Sequence, residues 1–147
     1  MTGSGILVRD PVHRGFGDGP ALIAPGAHLY EIANKMALSR DEYFVVQKIY
    51  IGWWVAGLLL PLSLLANLLL AYSEKKLWAL AAAALVLVNL ILFTFFTYPV
   101  NVATQNWTVM PDGWEALRRQ WEFSHAVNAG VTFAAFCLSI VAALNKP

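Results

Sequence analysis

The chain reads as an all-α integral membrane bundle on three grounds. Its 147 residues are 59% apolar and only 13% charged, so the apolar surface must be shared with lipid. Two uncharged runs are each long enough to cross about 30 Å of hydrocarbon, a distance that ~20 helical residues cover. A third, nearly charge-free run lies near the C-terminus.

The first span covers residues 50–72, YIGWWVAGLLLPLSLLANLLLAY, 23 residues without a charge. The second covers 77–98, LWALAAAALVLVNLILFTFFTY, and only Ser73-Glu-Lys-Lys76 separates the two, so they form a hairpin. The third covers about 125–144, with His125 and Asn128 at its entrance. Ser39-Arg-Asp-Glu42 and Asp112-Gly-Trp-Glu115 place a capping oxygen three residues before a carboxylate, which predicts helix starts outside the membrane. One helix is thus expected to run unbroken from Ser39 to Tyr72, with Pro61 kinking it, and another from Asp112 through the last span. Residues 99–111, PVNVATQNWTVMP, are bracketed by prolines and predict an irregular loop.

Residues 1–38 form a separate Gly- and Pro-rich segment ahead of the 39–147 bundle. Its stretch 20–38 is apolar from Ala21 to Tyr30, broken by Pro25 and Gly26, then charged at Glu31 and Lys35. An amphipathic interfacial or re-entrant helix beneath the bundle is the expectation, with a fourth span as the alternative. Nothing in the segment reads as a cleavable signal peptide.

Lys and Arg residues number seven on the side of the N-terminus and the 99–124 loop (Arg9, Arg14, Lys35, Arg40, Lys48, Arg118, Arg119). Three lie opposite: Lys75, Lys76 and Lys146. The excess predicts a cytoplasmic N-terminus and 99–124 loop. Tyr50, Trp53, Trp54, Tyr98, Trp107, Trp114 and Trp121 share that side and predict an aromatic belt. A net charge of +1 without a basic block excludes nucleic acid as a partner, leaving the bilayer and other membrane chains or self-association. The single cysteine, Cys137, rules out an internal disulfide and reads as a small buried hydrophobe.

His28-Leu-Tyr-Glu31 and Glu122-Phe-Ser-His125 each place a carboxylate and an imidazole on one helix face. If the two faces meet, His28, Glu31, Glu122 and His125 are candidate ligands for a mononuclear metal, and the two histidines for haem. A carboxylate-bridged di-metal centre needs further carboxylates from neighbouring helices, which the first two spans lack. The competing expectation pairs both glutamates with Lys or Arg while the histidines bond locally. Trp114, Leu117, Trp121, His125 and Asn128 follow helical 3-4 spacing and, with Ala126, Gly130 and Ala134, define an inward face. His125 on that face is a functional candidate. Asn67 and Asn89, deep in their spans, are expected to hydrogen-bond across helices. Asn106-Trp-Thr108 matches a glycosylation sequon, read as chance in a short cytoplasmic loop.

The order Tyr98-Pro-Val-Asn101, then Trp114, then Arg119-Gln-Trp121-Glu-Phe-Ser-His125 resembles the anthrone-oxygenase-like family of small membrane proteins, most of them uncharacterised. Gly26-Ala-His-Leu-Tyr-Glu31 resembles the end of that family's first helix, and the likeness runs from about Gly26 to Asn145. The family usually has four spans, whereas here the first is shortened and preceded by the Gly- and Pro-rich segment. The resemblance implies oxidation of an anthrone-type polycyclic aromatic substrate by dioxygen, with Asn101, Trp121 and His125 at the matching positions. No cofactor is strictly required for that chemistry, because a base such as His125 makes a carbanion that reacts with dioxygen. The alternative is a non-catalytic structural or accessory subunit of a larger membrane complex, respiratory or photosynthetic.

Overall fold

The computed structural model describes residues 18–74 and 77–144. Residues 1–17, 75–76 and 145–147 lie outside that range, and with them five of the ten Lys and Arg residues counted for orientation. Among the described residues the chain is mostly helical, without a strand. The elements are α1 (Ile23–Ala37, entered through a 3-10 turn at Pro20–Leu22), α2 (Arg40–Gln47), α3 (Trp54–Gly57), α4 (Leu59–Glu74), α5 (Leu77–Leu92), α6 (Tyr98–Ala103) and α7 (Trp114–Leu144). Three segments among the described residues are long and apolar enough to cross a membrane: Trp54–Ser73, Leu77–Ala103 and Trp114–Leu144. The protein is an integral membrane helical bundle.

α5 and α7 pack antiparallel, tied by Asn89 Nδ2 donating to Thr132 Oγ1 at 2.6 Å and by Thr97 and Ser124 hydroxyls at 2.8 Å. Buried alanines (Ala79, Ala82, Ala83, Ala129, Ala135, Ala142) allow the close approach that lets such short polar side chains reach across. Asn67 likewise bonds across helices, accepting from Ser139 Oγ at 2.8 Å.

The helix expected from Ser39 to Tyr72 is not continuous. The Ser39 start is as read, with the Ser39 amide donating to Glu42 Oε2 at 2.9 Å. α2 then ends in a 3-10 turn at Lys48–Tyr50, and Gly52 turns the chain at φ 89°, a left-handed value that strains any side chain. The first span is interrupted at Leu58, between α3 and α4, where Pro61 in the first turn of α4 offers no N–H to the preceding turn.

The helix also does not end at Tyr98. A π-turn at Phe93–Thr97, with the Tyr98 amide bonding back to the Phe93 carbonyl, admits Pro99 and lets the rod continue through α6. Gln120 Nε2 donates to the Phe96 carbonyl at 2.8 Å where the ladder shifts. Only residues beyond Ala103 are irregular. There Gln105, Asn106 and Trp107 hold φ of 48°, 56° and 63°, a left-handed turn closed by Asn106 N donating to Asn101 O at 2.7 Å. At the second expected cap, α7 starts at Trp114 rather than Asp112, because Gly113 takes φ 75° and the Ala116 amide bonds to its carbonyl at 3.0 Å.

The segment 20–38 does not lie beneath the bundle. α1 runs antiparallel along α7, from Gly19 beside Phe136 to the Leu38 carbonyl, which accepts from Arg118 at 2.9 Å. Pro25 falls in the first turn of α1, so the two expected breakers leave the helix intact. With its entry turn, α1 is about 27 Å long at ~1.5 Å per residue, and Asp18 at its base is level with Asn67 and Ser139 inside the spans.

Two expectations about facing are corrected. Cys137 is exposed on the outer side of α7, where a small apolar side chain meets lipid as readily as a core. Gly130 and Ala134 also face outward, since the buried stripe of α7 runs through Trp121, Asn128, Ala129, Thr132 and Ala135. The aromatic belt is likewise only partial. Trp107 and Trp121 turn inward with Tyr43, Phe44 and Val100 to make an aromatic core, while Trp54 and Tyr98 stay outside.

Candidate functional site

The two Glu/His faces do meet, where α1 crosses the start of the α7 span. Helical spacing puts His28, Glu31 and Lys35 on one face of α1, and Trp121, Glu122 and His125 on the opposing turn of α7. The His28 and His125 ring centroids are 4.2 Å apart. Trp121 lies 4.2 Å from His125 and meets His28 edge-on at 4.7 Å, and the Tyr50 ring closes the cluster at 4.4 Å from His28.

Next to the imidazoles lies a charge network. Lys35 Nζ sits 2.8 Å from Glu122 Oε1, which also accepts from Tyr43 OH at 2.7 Å. Lys35 donates to Tyr50 OH at 3.1 Å, and Tyr50 donates in turn to Glu31. The Glu122 side chain is 0% exposed and that of Lys35 only 4%, so neither charge is stabilised by water. Burial pushes the Lys35 ammonium below the ordinary lysine range, against the opposing pull of Glu122 and Glu31. Burial and the facing carboxylates raise both phenols, Tyr43 beside Glu122 and Tyr50 beside Glu31, so each remains a proton donor. The Lys35 ammonium also lies 4.6 Å from the Tyr50 ring centroid and 4.7 Å from that of Trp121, contacts that offset part of its desolvation.

His125 is oriented by its own helix. Its Nδ1 lies 2.9 Å from the Trp121 carbonyl, which can only accept, so the neutral ring carries its proton on Nδ1 and keeps a lone pair on Nε2. His28 Nδ1 is buried without a partner among the described residues. Asn101, on α6, does not touch the imidazoles. Its Oδ1 accepts from Trp121 Nε1 at 2.8 Å, which makes it a positioning residue for the indole.

The four residues expected as metal ligands come together only in part. Glu122 is taken by Lys35 and Tyr43, Glu31 by Tyr50, and no three His, Cys, Asp or Glu side chains among the described residues form a metal-holding group. The pairing of both glutamates with Lys35, and the local bond of His125, follow the competing expectation. No sequence spacing singles out Tyr43, whereas Lys35, four residues after Glu31 and seven after His28, faces the same way as both.

One turn along from the histidines, an apolar groove of about 620 Å³ runs between α1 and α7, lined among others by Gly26, Ala27, Tyr30, Ala129, Gly130 and Phe133. Small residues on both helices leave the space, and Tyr30 and Phe133 wall it. The chain matches no protein-family model, no curated protein and no solved structure.

Proposed function

We propose that this protein is a small membrane oxygenase acting on a lipophilic polycyclic aromatic substrate of the anthrone type, with His125 as the base. The observation that carries this reading is the orientation of His125: its Nδ1 proton is committed to the Trp121 carbonyl, which leaves Nε2 as a lone-pair base in an aromatic setting. The groove between α1 and α7 supplies an apolar berth one turn away, with a lining of small and aromatic residues suited to a flat, apolar molecule. His125 Nε2 removes a proton from the activated ring carbon, and the resulting carbanion adds dioxygen. Loss of water from that adduct leaves the carbonyl, so one oxygen atom enters the product and the other departs as water. Trp121, held by Asn101, forms the aromatic wall beside the base. Glu122 and Lys35 tie the two helices that carry the histidines. The count of seven basic residues against three supports placing this end of the bundle on the cytoplasmic side.

His125→Ala is expected to abolish turnover of an anthrone by membranes containing the protein, with folding retained. Turnover equal to that of the parent overturns the catalytic role. Absence of turnover in the parent, together with stoichiometric co-purifying membrane chains, assigns the protein instead as an accessory subunit.

A further inference from the structure

A second polar cluster lies on the far side of the bundle from the histidines, where α4, α7 and the entry to α1 converge. Asp18 is 0% exposed, and Ser63, Asn67 and Ser139 around it are each 3% exposed or less. Ser63 and Ser139 hydroxyls donate to its two carboxylate oxygens, and Asn67 Nδ2 lies 2.9 and 3.0 Å from them. Ser63 and Asn67 belong to the segment Trp54–Ser73 and Ser139 to Trp114–Leu144, both of membrane-crossing length and apolarity. Among the described residues, no Lys, Arg or His forms an ion pair with Asp18.

Two features of this cluster ask for positive charge. An ionised carboxylate in an apolar interior is costly unless a cation balances it, and neutral hydroxyls and amides offset only part of that cost. The hydrogen count is also short. Ser139 Oγ faces Asp18 Oδ2, Asn67 Oδ1 at 2.8 Å and the Ala135 carbonyl at 3.0 Å, yet its single hydrogen serves only one of the three. With Asp18 ionised, two acceptor oxygens face the Ser139 oxygen with no hydrogen between them.

We propose that Asp18, Ser63, Asn67 and Ser139 form an intramembrane binding site for one monovalent cation, with sodium as the occupant. A carboxylate, two hydroxyls and an amide carbonyl are hard oxygen donors, drawn here from three separate segments of the chain. One positive charge neutralises the one carboxylate, whereas a divalent ion leaves the apolar interior with a net charge. Because the site joins the base of α1 to α4 and α7, its occupancy locks the N-terminal helix to the bundle.

The test uses the full-length protein in detergent micelles at fixed pH and ionic strength, with thermal unfolding followed as choline chloride is replaced by sodium chloride. A saturable rise in Tm of several degrees is expected with sodium and a smaller one with potassium, since a ligand that binds only the folded state stabilises it. Asp18→Asn is expected to remove the sodium dependence. Ser139→Ala, which keeps the carboxylate and the packing, is expected to raise the half-saturating sodium concentration about tenfold, the size of one lost polar contact. Equal Tm in choline and sodium overturns the proposal, as does a stabilisation that follows pH with no response to sodium, which assigns a proton as the occupant. A sodium response unchanged in Ser139→Ala places the ion elsewhere and also overturns it.

Discussion

At the scale of single residues, the pair Lys35 and Glu122 decides how tightly the histidine faces are held together. Truncating one member of a buried ion pair strands the other, and such changes cost about 3–5 kcal/mol, far more than an exposed pair contributes. Lys35→Ala is expected to destabilise the protein by an amount in that range in detergent unfolding. Lys35→Met combined with Glu122→Gln removes both charges and should recover most of the loss. A Lys35→Ala variant as stable as the parent is inconsistent with the 2.8 Å contact. Lys35 was legible only in part. Its spacing from His28 and Glu31 is visible in the sequence, but the identity of its partner depends on α7 crossing at that height, which no local pattern encodes.

At the scale of elements, the departures from expectation share one cause: backbone devices of a few residues redirect helices whose composition favours continuing. Gly52 turns the chain between α2 and α3, the π-turn at Phe93–Thr97 carries α5 past Pro99, and the left-handed turn at Gln105–Trp107 drops Trp107 into the aromatic core. Hydropathy reads helix-forming composition and span length well, which is why all three spans were foreseen, but it does not register a bulge or a sign of φ. The left-handed turn carries a test. Gln105 is exposed, and a non-glycine residue at φ 48° costs roughly 1–2 kcal/mol, partly offset by glycine's greater freedom in the unfolded chain. Gln105→Gly is therefore expected to stabilise the protein by up to about 1 kcal/mol, and Gln105→Val to destabilise it, both read from unfolding midpoints. A loss of stability in Gln105→Gly contradicts the assigned conformation.

At the scale of the whole molecule, α1 is a continuous helix laid along α7, beside the three segments of membrane-crossing length. Pro25 and Gly26 suggested an interrupted helix, yet both fall early enough in α1 to be absorbed, and Asp18, which looks like a tail residue, is drawn into the bundle by Ser63, Asn67 and Ser139. The signal for that burial was present in the amides and hydroxyls of the spans. What was missing was knowledge of which carboxylate they serve. A Cβ placed on Gly19 lies 3.6 Å from the tip of the Phe136 ring, so Gly19→Cys with Phe136→Cys, in a chain whose Cys137 is replaced by serine, is expected to be joined within one molecule by a short bifunctional thiol reagent. Failure to cross-link places α1 away from α7.

The groove between α1 and α7 has a consequence for any quantitative assay. Its rim, with Ile23, Tyr30 and Phe133 all more than half exposed, opens outward along α7, a helix of membrane-crossing length and apolarity. A molecule seated there arrives by lateral diffusion within the leaflet. Its occupancy is set by mole fraction in the membrane, so adding empty vesicles at constant total ligand should dilute the site while the aqueous volume is unchanged.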